Sequence, residues 1–272
     1  MKQLLRKVLG RFPRLKRLLR KLYDRIFTSS SVSSSYEPIQ DNRIDEETSR
    51  LRSSWQSELL PERQRELVDR QLADYRQGKP IDVYDVMIAA LQKIAQQNSG
   101  RALLEVGCSS GFYSEVLKIK AMPFDYSGCD YSPAFIELGK KRHPDTPLSV
   151  QDATALSFAD AAFDVVVSGC CLLHIPDFEK AIAETARVAG QFAIFHRTPV
   201  VGGLPHQYFR KQAYGIETVE IHFNEGQLLE LFRRYDLECT DTFTLSREPD
   251  PNIPDAWHAN RTYVCRKMHN AS

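Results

Sequence analysis

The strongest chemical signal in the 272 residues is the stretch Leu103-Leu104-Glu105-Val106-Gly107-Cys108-Ser109-Ser110-Gly111. An apolar run ending in an acid, then small residues, then a helical pattern from Phe112 predicts a buried parallel strand, a tight turn and a helix. Small residues let the turn bring its backbone close to a ligand, and free amides at the helix start attract an anionic group. Asp130 closes Gly128-Cys129-Asp130, 19 residues beyond Gly111, where a carboxylate can accept hydrogen bonds from both hydroxyls of a ribose. Asp152, in Gln151-Asp152-Ala153, closes a third apolar run.

Two cofactor types compete for this pattern. A dinucleotide wants G-x-G-x-x-G, whose middle glycine admits the pyrophosphate, and here Ser109 stands at that point. Glu105 would repel a pyrophosphate but attract an ammonium group. S-adenosyl-L-methionine carries an ammonium and a carboxylate on its methionyl tail, suited to Glu105 and the turn amides respectively. The residues of a hydride-transfer enzyme are not found.

At this point the sequence resembles the class I S-adenosylmethionine-dependent methyltransferases, whose first motif is an acidic residue followed by x-Gly-x-Gly-x-Gly. Glu105, Gly107 and Gly111 match it, and Ser109 departs from its middle glycine. The resemblance covers about residues 80 to 268. It implies S-adenosyl-L-methionine as cofactor, bound by Glu105, Gly107, Cys108, Ser109, Gly111, Asp130, Tyr131, Asp152, Ala153 and Ser168. Asp152 would take the adenine amino group, and Ser168 with Gly169 would lie beneath the cofactor. The tail from His196 through Asn224-Glu225-Gly226-Gln227 is similar to methyltransferases found with bacterial surface-polysaccharide genes.

In an open α/β sheet a ligand sits outside the carboxyl ends of the strands, so the acceptor should meet the loops after the fourth and fifth strands. His174 and His196 lie there and are the candidate catalytic bases for a hydroxyl acceptor, although either could instead support the loops. Arg197 could hold an anionic acceptor or pair with a nearby acid. The stretch from Leu204 to Phe223 reads as an irregular, acceptor-binding insert. No metal site is expected. The expected reaction is O-methylation of a small molecule or glycan; the alternative is a cofactor-binding regulatory or scaffold protein without turnover.

The elements that must place these residues follow an alternating pattern. Strands are predicted at 102–106, 124–129, 148–151, 163–168, 191–196, 236–244 and 260–266, with helices at 112–120, 133–142, 177–188 and 225–234. This predicts an α/β fold: a doubly wound, mostly parallel seven-stranded sheet, the Rossmann-like methyltransferase fold, with an antiparallel last strand and an N-terminal helical extension. The domain reading is a basic amphipathic helix at 1–27, a flexible linker at 28–50, a helical lid or flank at 51–98 and the cofactor-binding domain at 99–270.

The formal net charge is +1, unevenly spread. Residues 1–27 hold ten of the 36 Lys and Arg and one of the 35 Asp and Glu, leaving 26 basic against 34 acidic residues in the body. That sign argues against a nucleic-acid partner. The basic segment, with Val8, Phe12, Leu15, Leu19, Leu22 and Ile26 on one stripe, fits a helix lying on an anionic membrane surface. A partner-docking arm and a cleaved leader stay open. Six cysteines without a C-x-x-C pair read as reduced thiols in a cytoplasmic protein, peripheral at the inner membrane face.

Overall fold

The computed structural model describes residues 33–97 and 100–268, so the amphipathic segment 1–27 lies outside the described residues. The chain divides into two units, Met1–Ser34 and Ser35–Ser272, and the second holds the site.

The parallel strands arise from apolar runs that have both faces covered. They are β2 (Ala102–Val106), β3 (Asp125–Asp130), β4 (Leu148–Val150), β5 (Phe163–Gly169) and β6 (Ala189–Gly202). After an edge hairpin come β9 (Leu237–Pro249) and β10 (Trp257–Lys267), which pair antiparallel; β10 also runs antiparallel to β6. The central order is therefore β4-β3-β2-β5-β6-β10-β9, the predicted seven strands with the predicted antiparallel end. The order reverses between β2 and β5, which places the switch-point crevice at the ends carrying Glu105-Val106-Gly107 and Ser168-Gly169.

Strand alternation divides the core in two. Leu103, Val165, Val167, Ile194 and Val264 face one cluster, which is covered by helices α2 (Leu60–Arg76), α3 (Asp82–Ala95) and α4 (Tyr113–Ile119). Phe195, Tyr263 and Cys265 face the other, covered by α6 (Phe178–Val188) and α7 (Glu225–Arg234), where Phe195 stacks on Phe232 at 4.2 Å. Helix α5 (Pro133–Arg142) joins β3 to β4.

Three stretches differ from the sequence expectation. The segment read as a linker contains strand β1 (Ser33–Pro38) and helix α1 (Ile44–Leu51). Its polar residues satisfy one another rather than water alone: Glu47 is buried between Arg43 at 2.9 Å and Arg50 at 2.7 Å. Leu204–Phe223, read as irregular, is mostly a hairpin of β7 (Gln207–Ala213) and β8 (Ile216–Asn224). Its two-residue turn, Tyr214-Gly215, has both φ values positive, as a tight hairpin turn needs. The strand predicted at 191–196 runs on through Pro199, a residue disfavoured within strands, to Gly202. Beyond the end of β5, β8 takes the vacated edge of β6 at Val200 and Val201. That substitution supplies the missing hydrogen bonds and raises a wall above the crevice.

The lid helices are fixed to the core by charge as well as by apolar packing. Arg65 on α2 is 3% exposed and pairs with Asp69 at 2.7 Å and with Glu115 on α4. Arg76 reaches the same Glu115 at 2.8 Å. Removing one partner of a buried pair strands the other charge. Arg65→Met should therefore cost about 3 kcal/mol in urea unfolding, and a loss under about 1 kcal/mol would show that the apolar face of α2 suffices.

Candidate active site

Strand β2 ends in a carboxyl that the fold almost completely encloses. Glu105 is 2% exposed and accepts a 2.5 Å hydrogen bond from the Tyr126 hydroxyl on β3. A Cβ on Gly169 would come within 2.4 Å of Glu105 Oε1, so the glycine at the end of β5 makes room for that side chain. Burial pushes the Glu105 carboxyl up to about 8, with the Tyr126 hydrogen bond opposing and the neighbouring Asp130 adding to the rise.

The turn that follows is built from close approaches. Gly107 takes a φ of 75°, and a Cβ there would sit 2.4 Å from that of Cys171. The amides of Gly107 and Cys108 both donate to the Cys129 carbonyl, at 2.8 and 3.0 Å, tying the turn to β3. Cys108 points its thiol into the core against Gly128, so its backbone is what faces the crevice. Ser109 adopts the left-handed φ of 53° that the family's middle glycine would take freely. Its amide donates to Asp130 Oδ2 at 2.8 Å, and its hydroxyl accepts from Gln64 on α2 at 3.2 Å. Gly111 also has positive φ, at 72°.

Asp130 is held by backbone amides on both oxygens, from Ser109 and, at 2.9 Å, from Ser132. Burial raises it to about 6 against those hydrogen bonds. Glu105, the Ser109 turn and Asp130 thus form one connected cradle, with Tyr131 half-buried beside it. Ser168 is buried and shares a 3.3 Å hydrogen bond with Cys171, whose thiol also reaches the Val106 carbonyl. Asp152 is partly committed to its own turn: Oδ1 accepts from the amide and hydroxyl of Thr154, and Oδ2 lies 3.6 Å from Arg52. Ala153 packs half-buried beneath that turn.

The two histidines differ in their freedom. His196 is 1% exposed and uses both ring nitrogens, with Tyr113 Oη at 3.0 Å from Nε2 and Thr262 Oγ1 at 2.9 Å from Nδ1. His174 meets the Val219 carbonyl at 2.6 Å through Nδ1, which must carry the proton, so Nε2 keeps a bare lone pair. Trp55 lies against its ring at 4.5 Å between centroids. Burial lowers each histidine to about 3; the Arg197 charge adds to this at His196, and Lys211 is the next contributor at His174. Both rings are neutral at physiological pH.

Sequence reasoning missed Tyr126, Gln64 and Thr262. Tyr126 shares the period-two face of Gly128 and Asp130, a signal that was present; Gln64 and Thr262 become site residues only through contacts distant in the chain. Among the described residues no group of His, Cys, Asp and Glu is placed to hold a metal ion.

This geometry defines a class. Residues 104–194 match the methyltransferase domain family, and that segment is a class I S-adenosylmethionine-dependent methyltransferase domain, a class whose cofactor is S-adenosyl-L-methionine. Among its relatives, the demethylmenaquinone methyltransferase of Renibacterium salmoninarum is 36% identical over 89 residues, covering 33% of this chain and 37% of that protein. The phthiotriol/phenolphthiotriol dimycocerosates methyltransferase of Mycobacterium leprae is 35% identical over 100 residues, covering 35% of this chain and 37% of that protein. The chain thus spans little more than a third of the length of these relatives. A crystal structure of a Methanosarcina mazei S-adenosylmethionine-dependent methyltransferase aligns with a TM-score of 0.49 at 17% identity, over 65% of this chain and 98% of that one. The matched family segment ends before His196 and Arg197.

The raised Glu105 pKa has a consequence for stability. Its folded value lies above its ordinary 4.5, so its stabilising contribution is complete below about pH 4.5 and is lost as pH rises through about 8. The loss should approach about 1.4 kcal/mol per pH unit inside that window. In the ligand-free protein, Glu105→Gln should abolish this slope in urea unfolding; parallel pH profiles for the two proteins would mean the carboxyl is not raised.

Proposed function

We propose that this chain is an S-adenosylmethionine-dependent methyltransferase acting on an oxygen of a small molecule or glycan. The observation that supports it most is the cradle at the switch point, where a buried acid, a left-handed turn and an amide-held aspartate converge. The residues present fit the cofactor's donor and acceptor groups. Glu105 receives the α-ammonium, which favours the ionised carboxylate and offsets its burial. The amides of Gly107, Cys108, Ser109 and Gly111 are already committed within the turn and to Asp130, which leaves the Ser110 amide for the carboxylate of the methionyl tail. Asp130, already oriented by Ser109 and Ser132, keeps lone pairs for the ribose hydroxyls. Asp152 Oδ2 is available for the adenine amino group once Arg52 moves aside.

The bound cofactor supplies an electrophilic sulfonium methyl group. Transfer is an in-line displacement, so the chain's task is alignment and exclusion of water. Tyr113, His196 and Thr262 form a buried brace on the acceptor side. His174 is the candidate to accept the acceptor's proton or hydrogen bond at Nε2. A base as weak as this one orients a hydroxyl better than it deprotonates one, which suits an acceptor oxygen that is itself acidic.

The basic stripe in residues 1–27 supports a membrane- or lipid-linked acceptor. Deleting residues 1–27 should release the protein from vesicles containing anionic lipid, with cofactor affinity retained. Undiminished vesicle binding would remove the membrane part of the reading. For the site itself, Asp130→Ala should weaken S-adenosylhomocysteine binding by about tenfold or more in titration calorimetry, the scale of a lost hydrogen-bonded charge. Unchanged affinity would sink the cofactor assignment. Mass spectrometry of candidate acceptors then reads the transfer directly.

A further inference from the structure

Strand β6 carries a bulge where it passes the end of β5. Phe195 pairs with Tyr263 and Thr198 with Arg261, so His196 and Arg197 together face the single residue Thr262. Arg197 takes a φ of 54° there, in a conformation that such bulges usually give to glycine. A long side chain in the left-handed region is strained, and strain of this kind persists only where the surroundings impose it. They do so through Thr262, which is fully buried, accepts from the Arg197 amide at 3.3 Å and contacts His196 Nδ1 at 2.9 Å.

Bulges re-aim side chains, and the one re-aimed here is a half-buried guanidinium. Among the described residues it forms no ion pair or side-chain hydrogen bond, whereas Arg65, Arg187 and Arg261 each hold a carboxylate. Of the groups whose charge registers at Arg197, with Cys170 first, Glu220 is the one carboxylate, and it is already held by Lys211 and by His222 at 2.9 Å. An unpaired, partly desolvated cation is costly, so its retention points to a ligand. Its field reaches His174, His196, Tyr113 and Tyr214, the groups of the acceptor side. Tyr214, at the hairpin turn, is held over this region by Arg63 of α2, which donates to its carbonyl at 2.8 Å. In the order β2-β5-β6, Arg197 lies two strands from the Glu105 turn, roughly 10 Å away.

We propose that Arg197 binds an anionic group of the methyl acceptor, a carboxylate, a phosphate or an ionised phenol or enol, and so selects acidic acceptors. This rests on the methyltransferase reading above. Arginine's planar fork suits such oxyanions, and no other cation here is both free and partly buried among the acceptor-side groups described.

The test is calorimetry on the full chain, with and without saturating S-adenosylhomocysteine, using benzoate, phenyl phosphate and phenolate as anionic probes and benzamide as the neutral control. At least one anion should bind, benzamide should not, and Arg197→Gln should weaken the anion by about tenfold or more while cofactor affinity stays within about twofold. The pattern across the three anions identifies the acceptor's charged group. Failure of all three to bind, or equal binding by R197Q, overturns the proposal. A tenfold loss of S-adenosylhomocysteine affinity in R197Q also overturns it, by assigning Arg197 to the cofactor's own carboxylate. If S-adenosylhomocysteine does not bind the wild type, the methyltransferase reading falls, and the cofactor-free titrations still decide whether Arg197 is an anion site. Arg197→Gly guards against misfolding: glycine relieves the strained φ, so this variant should melt roughly 2–4 °C higher and still lose the anion.

Discussion

The burial of Glu105 is the constraint around which the site is arranged. A carboxyl at the end of a central parallel strand is tolerated only if its neighbours give it space and at least one hydrogen bond. Gly169 gives the space and Tyr126 the hydrogen bond. Even so, burial keeps the acid protonated over much of the ordinary pH range. A ligand cation would reverse that, so the group that destabilises the ligand-free protein is the one best able to reward binding. Structural use alone would be served as well by glutamine.

A second arrangement sits two strands away and is built from opposite materials. The bulge on β6 is fixed by a chain of buried hydrogen bonds: the Arg197 amide to Thr262, Thr262 to His196, His196 to Tyr113, and Tyr113 to the Val83 carbonyl at 3.4 Å. With Nε2 carrying the proton, every donor in that chain has an acceptor. His196 is thereby a brace, and the histidine with an open nitrogen is His174. The two residues look alike in the sequence, each in a loop or strand end near an apolar run; only their partners separate them.

The flank and the hairpin complete the enclosure. Gln64 reaches the Ser109 hydroxyl, Arg63 reaches the Tyr214 carbonyl, and Trp55 covers His174, so one polypeptide flank touches the turn after β2, the hairpin tip and the candidate base. Where β5 ends, β8 continues the pairing of β6, which makes the wall over the crevice an extension of the sheet rather than a loose loop.

The seven strands, the antiparallel end and the tight turn after Glu105 were legible in the sequence because each depends on local pattern. Apolar runs read as buried strands, Gly107 and Gly111 as a tight turn, and the short link between the last two strands allows only antiparallel pairing. Asp130 and Asp152 were legible as strand-end acids, although only the structure shows the first oriented by two amides and the second drawn into its own turn. The hairpin at 207–224 was harder, since its polar alternation resembles a loop until Gly215 is read as the second residue of a turn. The bulge at His196-Arg197, the Thr262 lock and the unpaired state of Arg197 had no local signature at all. They depend on which residue lies opposite in a strand more than sixty positions away, and on which acids are already taken. Sequence determined the Glu105 turn and the strands that flank it because short-range periodicity encodes them; tertiary structure decided the surroundings of His174, His196 and Arg197 because pairing and burial between distant segments create them.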